Sequence, residues 1–128
     1  MCVGNLLYEY AVIRFVPRIE REEFINVGLL MMCKRMKWIR AQLHVPENKM
    51  AVFVSEITPE NLHNQLEQFR CITNGDCKAG PIATLSVEER FRWLSAVRSS
   101  CVQTSRPHPG LTDDLDMTFD RLFSELVM

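Results

Sequence analysis

The sequence predicts an α+β fold in which an antiparallel sheet of three or four strands carries two or three helices packed on one face. Three segments near the N-terminus have the residue patterns of strands and are joined by short connections, which is typical of an antiparallel meander. Three later segments have the apolar spacing of amphipathic helices. With 128 residues, 47% of them hydrophobic and 24% charged, the chain has the size and composition of one globular domain, residues 1–128.

The predicted strands span residues 8–16, 24–33 and 38–45. The first alternates between a face that includes Arg14 and a more apolar opposite face. The second is apolar almost throughout, which indicates burial on both faces. The third places Arg40, Gln42 and His44 on one face, which we expect to be solvated because antiparallel sheets often leave one side in water. Residues 99–105 are a candidate fourth strand.

Capping residues mark the predicted helix starts. Thr58 caps a helix whose first position is Pro59. The segment 86–89 has the form of a capping box, and the helix that it opens is expected to end near Arg98. Acidic residues at 113–114 open a last amphipathic helix, which is expected to dock on the sheet. Residues 47–57 fit either a short helix or a loop, and the proline-rich stretch 106–110 can be neither helix nor central strand.

Composition and missing motifs disfavour several classes of function. The net charge of −1 gives no basic field for nucleic acid or an anionic membrane. No stretch of about 18 apolar residues predicts a membrane span, and the N-terminus lacks the features of a secretory signal. Five cysteines without a CxxC pair are typical of reduced thiols in the cytoplasm. Phosphate-binding loops, catalytic motifs and metal-ligand spacings are missing, so we expect no cofactor and no metal and favour a protein that is not an enzyme.

Arg14 and Asn26 are polar residues inside otherwise apolar strand patterns. Pairing of the first two strands would bring them close together, and Asn26 and Gly28 are expected to share one face of the second strand. Two interpretations stay open. In one, Arg14 makes a structural ion pair and Gly28 leaves room for a neighbouring aromatic ring. In the other, Arg14 presents its guanidinium to an anionic ligand or to a carboxylate of a partner.

A second cluster of hydrogen-bonding side chains lies where a predicted helix gives way to a proline-bounded segment. Its candidate binding residues are Arg98, Gln103, Ser105 and His108. Loops held by a rigid scaffold often carry binding groups, but the same residue types also cap helices and bond to nearby backbone. Both interpretations stay open.

The chain as a whole resembles a bacterial family known as domain of unknown function 3037. The resemblance extends over nearly everything from Tyr8 to Val127. It is carried by residues 8–14 with Pro17, by 23–28, by 80–83, by 89–91 with 93–94, and by Ala96, Arg98, Ser99, Gln103, Ser105, His108, Gly110, Leu111, Asp120, Leu122 and Phe123. One departure is that Arg106 stands before Pro107, where the family places proline directly after the serine equivalent to Ser105. The candidate binding residues are among the residues that carry the resemblance.

The resemblance implies a bacterial protein but supplies no activity. Through an association of such genes with genes for HipA-type kinases, it implies a HipA-like kinase as a partner. The first functional hypothesis is a non-enzymatic binding or accessory domain that docks a protein partner through the solvated sheet face and residues 98–108. The alternative is a small enzyme or sensor for an anionic metabolite. There, Arg14 and Arg98 hold the charge, Gln103 orients the ligand and His108 acts as acid or base.

Overall fold

An antiparallel sheet forms the centre of the fold, and helices lie on both of its faces. In the computed structural model, the described residues are 6–16, 24–44, 59–75, 80–96 and 102–128. Their elements, in chain order, are β1 (Leu6–Phe15), β2 (Ile25–Cys33), β3 (Trp38–Leu43), α1 (Pro59–Asn74), a 3₁₀ turn (Pro81–Thr84), α2 (Val87–Leu94), β4 (Val102–Thr104), β5 (His108–Thr112) and α3 (Leu115–Leu126). The predicted α+β class with an antiparallel sheet is confirmed.

Strand β1 is the centre of the sheet. It pairs with β2 along one edge, and β3 follows β2, so the first three strands form the predicted meander. Along its other edge β1 pairs first with β5 and then with β4. The described residues thus contain five strands where three or four were expected. The additional strand includes Pro109, which is tolerated because β5 lies at the edge of the sheet, where a missing N–H does not interrupt a ladder.

Strands β4 and β5 follow one another along the same edge of β1, separated by a local irregularity. Ile13 pairs with Thr104, whereas Tyr10 pairs with His108, so the register shifts by one residue between the two strands. The Ser105 amide donates to the Val12 carbonyl at 2.8 Å, which carries the pairing one residue beyond β4. The extra residue falls in the stretch that ends with Pro107, a residue unable to donate to a ladder.

Each face of the sheet has its own apolar cluster. On one face, helices α1 and α2 cover the sheet through Phe69, Ile72 and Phe91. On the other, α3 packs against β1 and β2 through a stripe of side chains, Phe119, Leu122 and Phe123. Two helices therefore pack on one face, as predicted, but the third covers the opposite face, which the sequence predicted to be solvated. The reason is that Tyr8, Val12, Leu29 and Met31 make that face apolar as well.

A β-bulge in β2 changes which residues share a face. Ile13 pairs with Gly28 and Arg14 pairs with Asn26, so Val27 is an additional residue between them. Asn26 therefore lies on the α3 face while Gly28 lies on the other, and the expectation that they share a face is wrong. Gly28 also makes no room for an aromatic ring: a side chain there would meet the Gln42 carbonyl and aliphatic atoms.

Two helix starts follow the predicted capping chemistry, while Thr58, the predicted cap of α1, lies outside the described residues. The Ser86 hydroxyl accepts a hydrogen bond from the Glu89 amide at 3.2 Å, and the Asp114 carboxylate accepts one from the Met117 amide at 3.0 Å. Helix α2 ends at Leu94, before the position near Arg98 that the sequence predicted. Arg98 and residues 47–57 lie outside the described residues. None of the helices in the described ranges is long and apolar enough to cross a membrane.

Candidate binding site around Arg14

Three of the predicted site residues form one row across the sheet. Arg14 on β1 pairs with Asn26 on β2 and with Gln103 on β4. Residues that face each other across antiparallel strands project to the same side. The row therefore lies on the α3 face, where the first hypothesis placed a binding surface. We call Arg14, Phe24, Asn26 and Gln103 the Arg14 site.

Arg14 has an unusual environment for a half-buried cation. Its guanidinium carbon lies 4.1 Å from the centre of the Phe24 ring, which is within cation–π range. The Phe24 side chain is itself 48% exposed. The buried Arg14 Nε has no hydrogen-bond partner among the described residues. The structural ion pair that was one interpretation of Arg14 is thus not found within the described part of the chain.

Comparison with the other half-buried arginines shows what Arg14 lacks. Arg40 also lies over a ring, 4.2 Å from the centre of Phe119, but two carboxylates of α3 neutralise it: Asp116 at 3.2 Å and Asp120 at 3.3 Å. Arg90 has an unpaired Nε as well, but its Nη1 donates to the backbone carbonyls of residues 72 and 73. Among the described residues, Arg14 has neither a carboxylate nor a carbonyl acceptor.

Asn26 connects the Arg14 site to the C-terminal end of α3. Its Nδ2 donates to the Leu126 carbonyl at 2.9 Å, which satisfies one of the carbonyls that a helix end leaves without an intrahelical partner. This bond assigns the amide orientation, because Oδ1 facing that carbonyl would be repulsive. The other amide atom, Oδ1, is buried and has no partner within the described ranges. The site therefore contains an unpaired donor on Arg14 and an unpaired acceptor on Asn26.

Gln103 and Ser105 are engaged within the chain. Gln103 is half-buried and takes part in an interaction of its own. Ser105 is buried; its hydroxyl accepts from the Val12 amide at 2.9 Å and donates to the Arg106 carbonyl at 3.1 Å. Ser105 thus fixes the junction between β4 and β5 through local bonding to backbone, which was the second of the two interpretations given for it.

His108 lies apart from Arg14. It pairs with Tyr10, and the two rings have their centres 5.3 Å apart. Tyr10 and Arg14 are four residues apart on β1, which corresponds to about 13 Å of strand. Each side chain contacts a different aromatic ring, so they do not converge on one reacting group. Arg98, the third residue of the alternative hypothesis, is outside the described residues.

The face of β3 that was expected to be solvated is shared between water and α3. Gln42 and His44 are exposed, as predicted, whereas Arg40 is half-buried against the aspartates of α3. The broad docking surface expected there is therefore reduced, because α3 already occupies part of it.

Two contributors to the site were missed at the sequence level. The sequence predicts Phe24 as the first residue of an apolar strand, whereas in the structure it stands directly before β2 and is half-exposed. The C-terminal end of α3 was missed because its contact with Asn26 joins residues 100 positions apart. No periodicity in the sequence encodes such a pair.

A separate cleft of about 390 Å³ lies between α1, α2 and β4. Its lining residues within the described ranges include no ionisable one; they are Asn64, Gln65, Gln68, Phe69, Ile72, Trp93, Leu94 and Val102. Arg14 is not part of this cleft. The described residues also contain no group of three or more His, Cys, Asp or Glu side chains placed to hold a metal ion.

Fold and site together define an α+β domain with an arginine that its described neighbours leave without a counter-charge. The family described as protein of unknown function (DUF3037) matches the chain over residues 10–127. The chain belongs to this family, and the resemblance noted from its residues is confirmed. No curated protein and no solved structure matches the chain.

Proposed function

We propose that this protein is a non-enzymatic binding domain that docks a protein partner, with Arg14 receiving a carboxylate of that partner. The proposal is carried by one observation: a half-buried arginine without a carboxylate among the described residues lies against a half-exposed aromatic ring. Arginine and aromatic side chains, phenylalanine included, are enriched at the cores of protein interfaces relative to the rest of the surface. Phe24 and Arg14 present both types together.

The free energy of binding is most favourable for a partner that supplies a carboxylate to Arg14. Arg14 has already lost part of its hydration, so a carboxylate that binds it has less water to displace than at a fully exposed arginine. The guanidinium offers several donors in one plane, and the Phe24 ring holds that plane in position. A charge-assisted hydrogen bond of this kind contributes about 1.5–3 kcal/mol, which corresponds to roughly ten- to hundredfold in affinity.

Substitution of Arg14 tests this proposal, with Arg40 as the matched control. Both arginines are half-buried and stacked on a ring, but the carboxylates of Arg40 come from its own chain. The tagged protein is purified from its bacterial host as wild type, Arg14→Gln, Arg14→Lys and Arg40→Gln, each first shown to be folded by circular dichroism. We expect a protein that is retained by wild type and Arg40→Gln, reduced by Arg14→Lys and lost from Arg14→Gln.

The captured protein is then purified and its affinity measured directly. Arg14→Gln is expected to weaken the binding about ten- to hundredfold. From the family resemblance, we expect the captured partner to be a HipA-like kinase. Identical protein sets from all four variants, or equal affinities of wild type and Arg14→Gln, contradict the proposal.

The alternative of a metabolite sensor draws on the same unpaired Arg14, and a thermal-shift screen of anionic metabolites addresses it if no protein is captured. Acid–base catalysis with His108 has no geometric support, because His108 lies against Tyr10, about 13 Å along the strand from Arg14.

We also propose the cytoplasm as the compartment. In support, the described cysteines Cys33 and Cys71 are free thiols, one buried and one half-buried, as expected where thiols are kept reduced. Trapping of the thiols in intact cells with a membrane-permeant and an impermeant reagent tests this: only the permeant reagent should modify the half-buried Cys71.

A further inference from the structure

The unpaired atoms of the Arg14 site specify more about the bound group than its negative charge. Arg14 Nε carries a hydrogen and needs an acceptor, whereas Asn26 Oδ1 needs a donor. The two residues pair across β1 and β2, so their side chains lie beside each other on the α3 face. A bare carboxylate satisfies only the first, because its oxygens accept and do not donate.

We propose that the group bound at Arg14 is a carboxylate that bears an N–H or O–H donor on the adjacent carbon. This inference rests on the proposed function and specifies its ligand. The carboxylate accepts from Arg14 Nε, and the neighbouring donor bonds to Asn26 Oδ1. The C-terminal residue of a polypeptide has this arrangement, with its own amide N–H next to the terminal carboxylate, and so do 2-hydroxy acids.

The end of α3 takes part in this binding. Both unpaired atoms are screened from solvent, and Asn26 is held by the carbonyl of Leu126 in the last turn of α3. The ligand reaches Oδ1 when that turn moves, and last turns of helices are the positions most prone to fray. The cost of leaving Arg14 Nε and Asn26 Oδ1 buried without partners favours such an opening, since a bound ligand satisfies both.

The test follows the Arg14 Nε–H resonance of the folded protein by NMR during titration with three probes. N-acetylglycine carries a carboxylate and an adjacent N–H, lactate carries an adjacent O–H, and propionate carries the carboxylate alone. We expect N-acetylglycine to bind about two- to tenfold more tightly than propionate, the gain of one additional hydrogen bond. The Nε–H resonances of Arg40 and Arg92, which have carboxylates of their own, serve as internal controls.

Asn26→Ala separates this inference from the proposed function. Without Oδ1, the preference for N-acetylglycine over propionate is expected to fall to about one, while both carboxylates still shift the Arg14 resonance. If wild type binds propionate and N-acetylglycine equally, or if Asn26→Ala keeps the preference, the inference is overturned and the carboxylate site stands. If no probe shifts Arg14, the proposed function fails as well.

The probes also distinguish the two sources of the ligand group. A short peptide with a free C-terminus that binds more tightly than lactate identifies the terminus of a protein partner, and its C-terminally amidated form is expected not to bind. Lactate binding with no response to either peptide contradicts the proposed protein partner and favours the metabolite alternative. Equal shifts from the free and the amidated peptide overturn the assignment of the carboxylate to Arg14.

Discussion

Replacing Gly28 with alanine tests the packing at the bulge that places Asn26 beside Arg14. A Cβ at this position would lie 2.7 Å from the Gln42 carbonyl oxygen, 2.8 Å from Leu43 Cδ2 and 3.1 Å from Ile13 Cδ1. The first contact is with backbone of the neighbouring strand, which cannot rotate away as a side chain does. The new methyl group therefore forces β2 and β3 apart.

The expected loss of stability combines two opposing effects. Overpacking of a core costs about 1–3 kcal/mol. Replacing glycine also restricts the unfolded chain, which stabilises the folded state by about 0.4–1 kcal/mol. The net expectation for Gly28→Ala is a decrease of roughly 1–2 kcal/mol in the free energy of unfolding, with a Tm lower by roughly 3–10 °C.

Urea unfolding followed by tryptophan fluorescence measures this decrease, since Trp38 lies on β3, the strand that the methyl group displaces. Combining Gly28→Ala with Leu43→Ala shows which atoms oppose the methyl group. We expect a coupling of about 0.5–1 kcal/mol from relief of the Leu43 contact, with the remaining cost due to the Gln42 carbonyl. A Gly28→Ala variant as stable as wild type would refute the reasoning, because it would mean that β3 moves away from the methyl group with no loss of stability.

Two further predictions concern residues outside the Arg14 site. Ser105→Ala removes the acceptor of the buried Val12 amide and the donor to the Arg106 carbonyl. We expect the free energy of unfolding, measured in urea, to fall by about 1–3 kcal/mol and hydrogen exchange at the Val12 amide to become faster. A decrease below about 0.5 kcal/mol would contradict this prediction. The side-chain hydrogen bond from Arg70 holds the pKa of Glu67 below its ordinary value, and Arg70→Gln is expected to raise that pKa. An NMR titration of the Glu67 carboxyl group checks this, and an unchanged pKa would show that Arg70 does not act on it.

Local chemistry explains why the elements were predictable from the sequence. Alternation along β1, the apolar run of β2 and the capping groups at Ser86 and Asp114 each act within a few residues, and the structure has each where the sequence predicted it. Strand β5 was not predicted, because Pro109 lowers the propensity for a strand. Only the open edge of β1 makes a strand possible there.

The candidate site was predictable only in part, for a related reason. The sequence indicated that Arg14 and Asn26 lie close together once β1 and β2 pair, and this is confirmed. It did not show the bulge at Val27 that turns Asn26 to the α3 face, because a bulge depends on how two distant strands register against each other.

By itself, the sequence determined the α+β class, the meander, the helix starts and the family, since these depend on periodicity, capping and residue identity along the chain. The tertiary structure decided which face α3 covers, that Arg40 has its counter-charges from α3, and that Arg14 has none among the described residues. Charge pairing and side-chain burial join residues far apart in the chain, so they are settled only when the elements pack together.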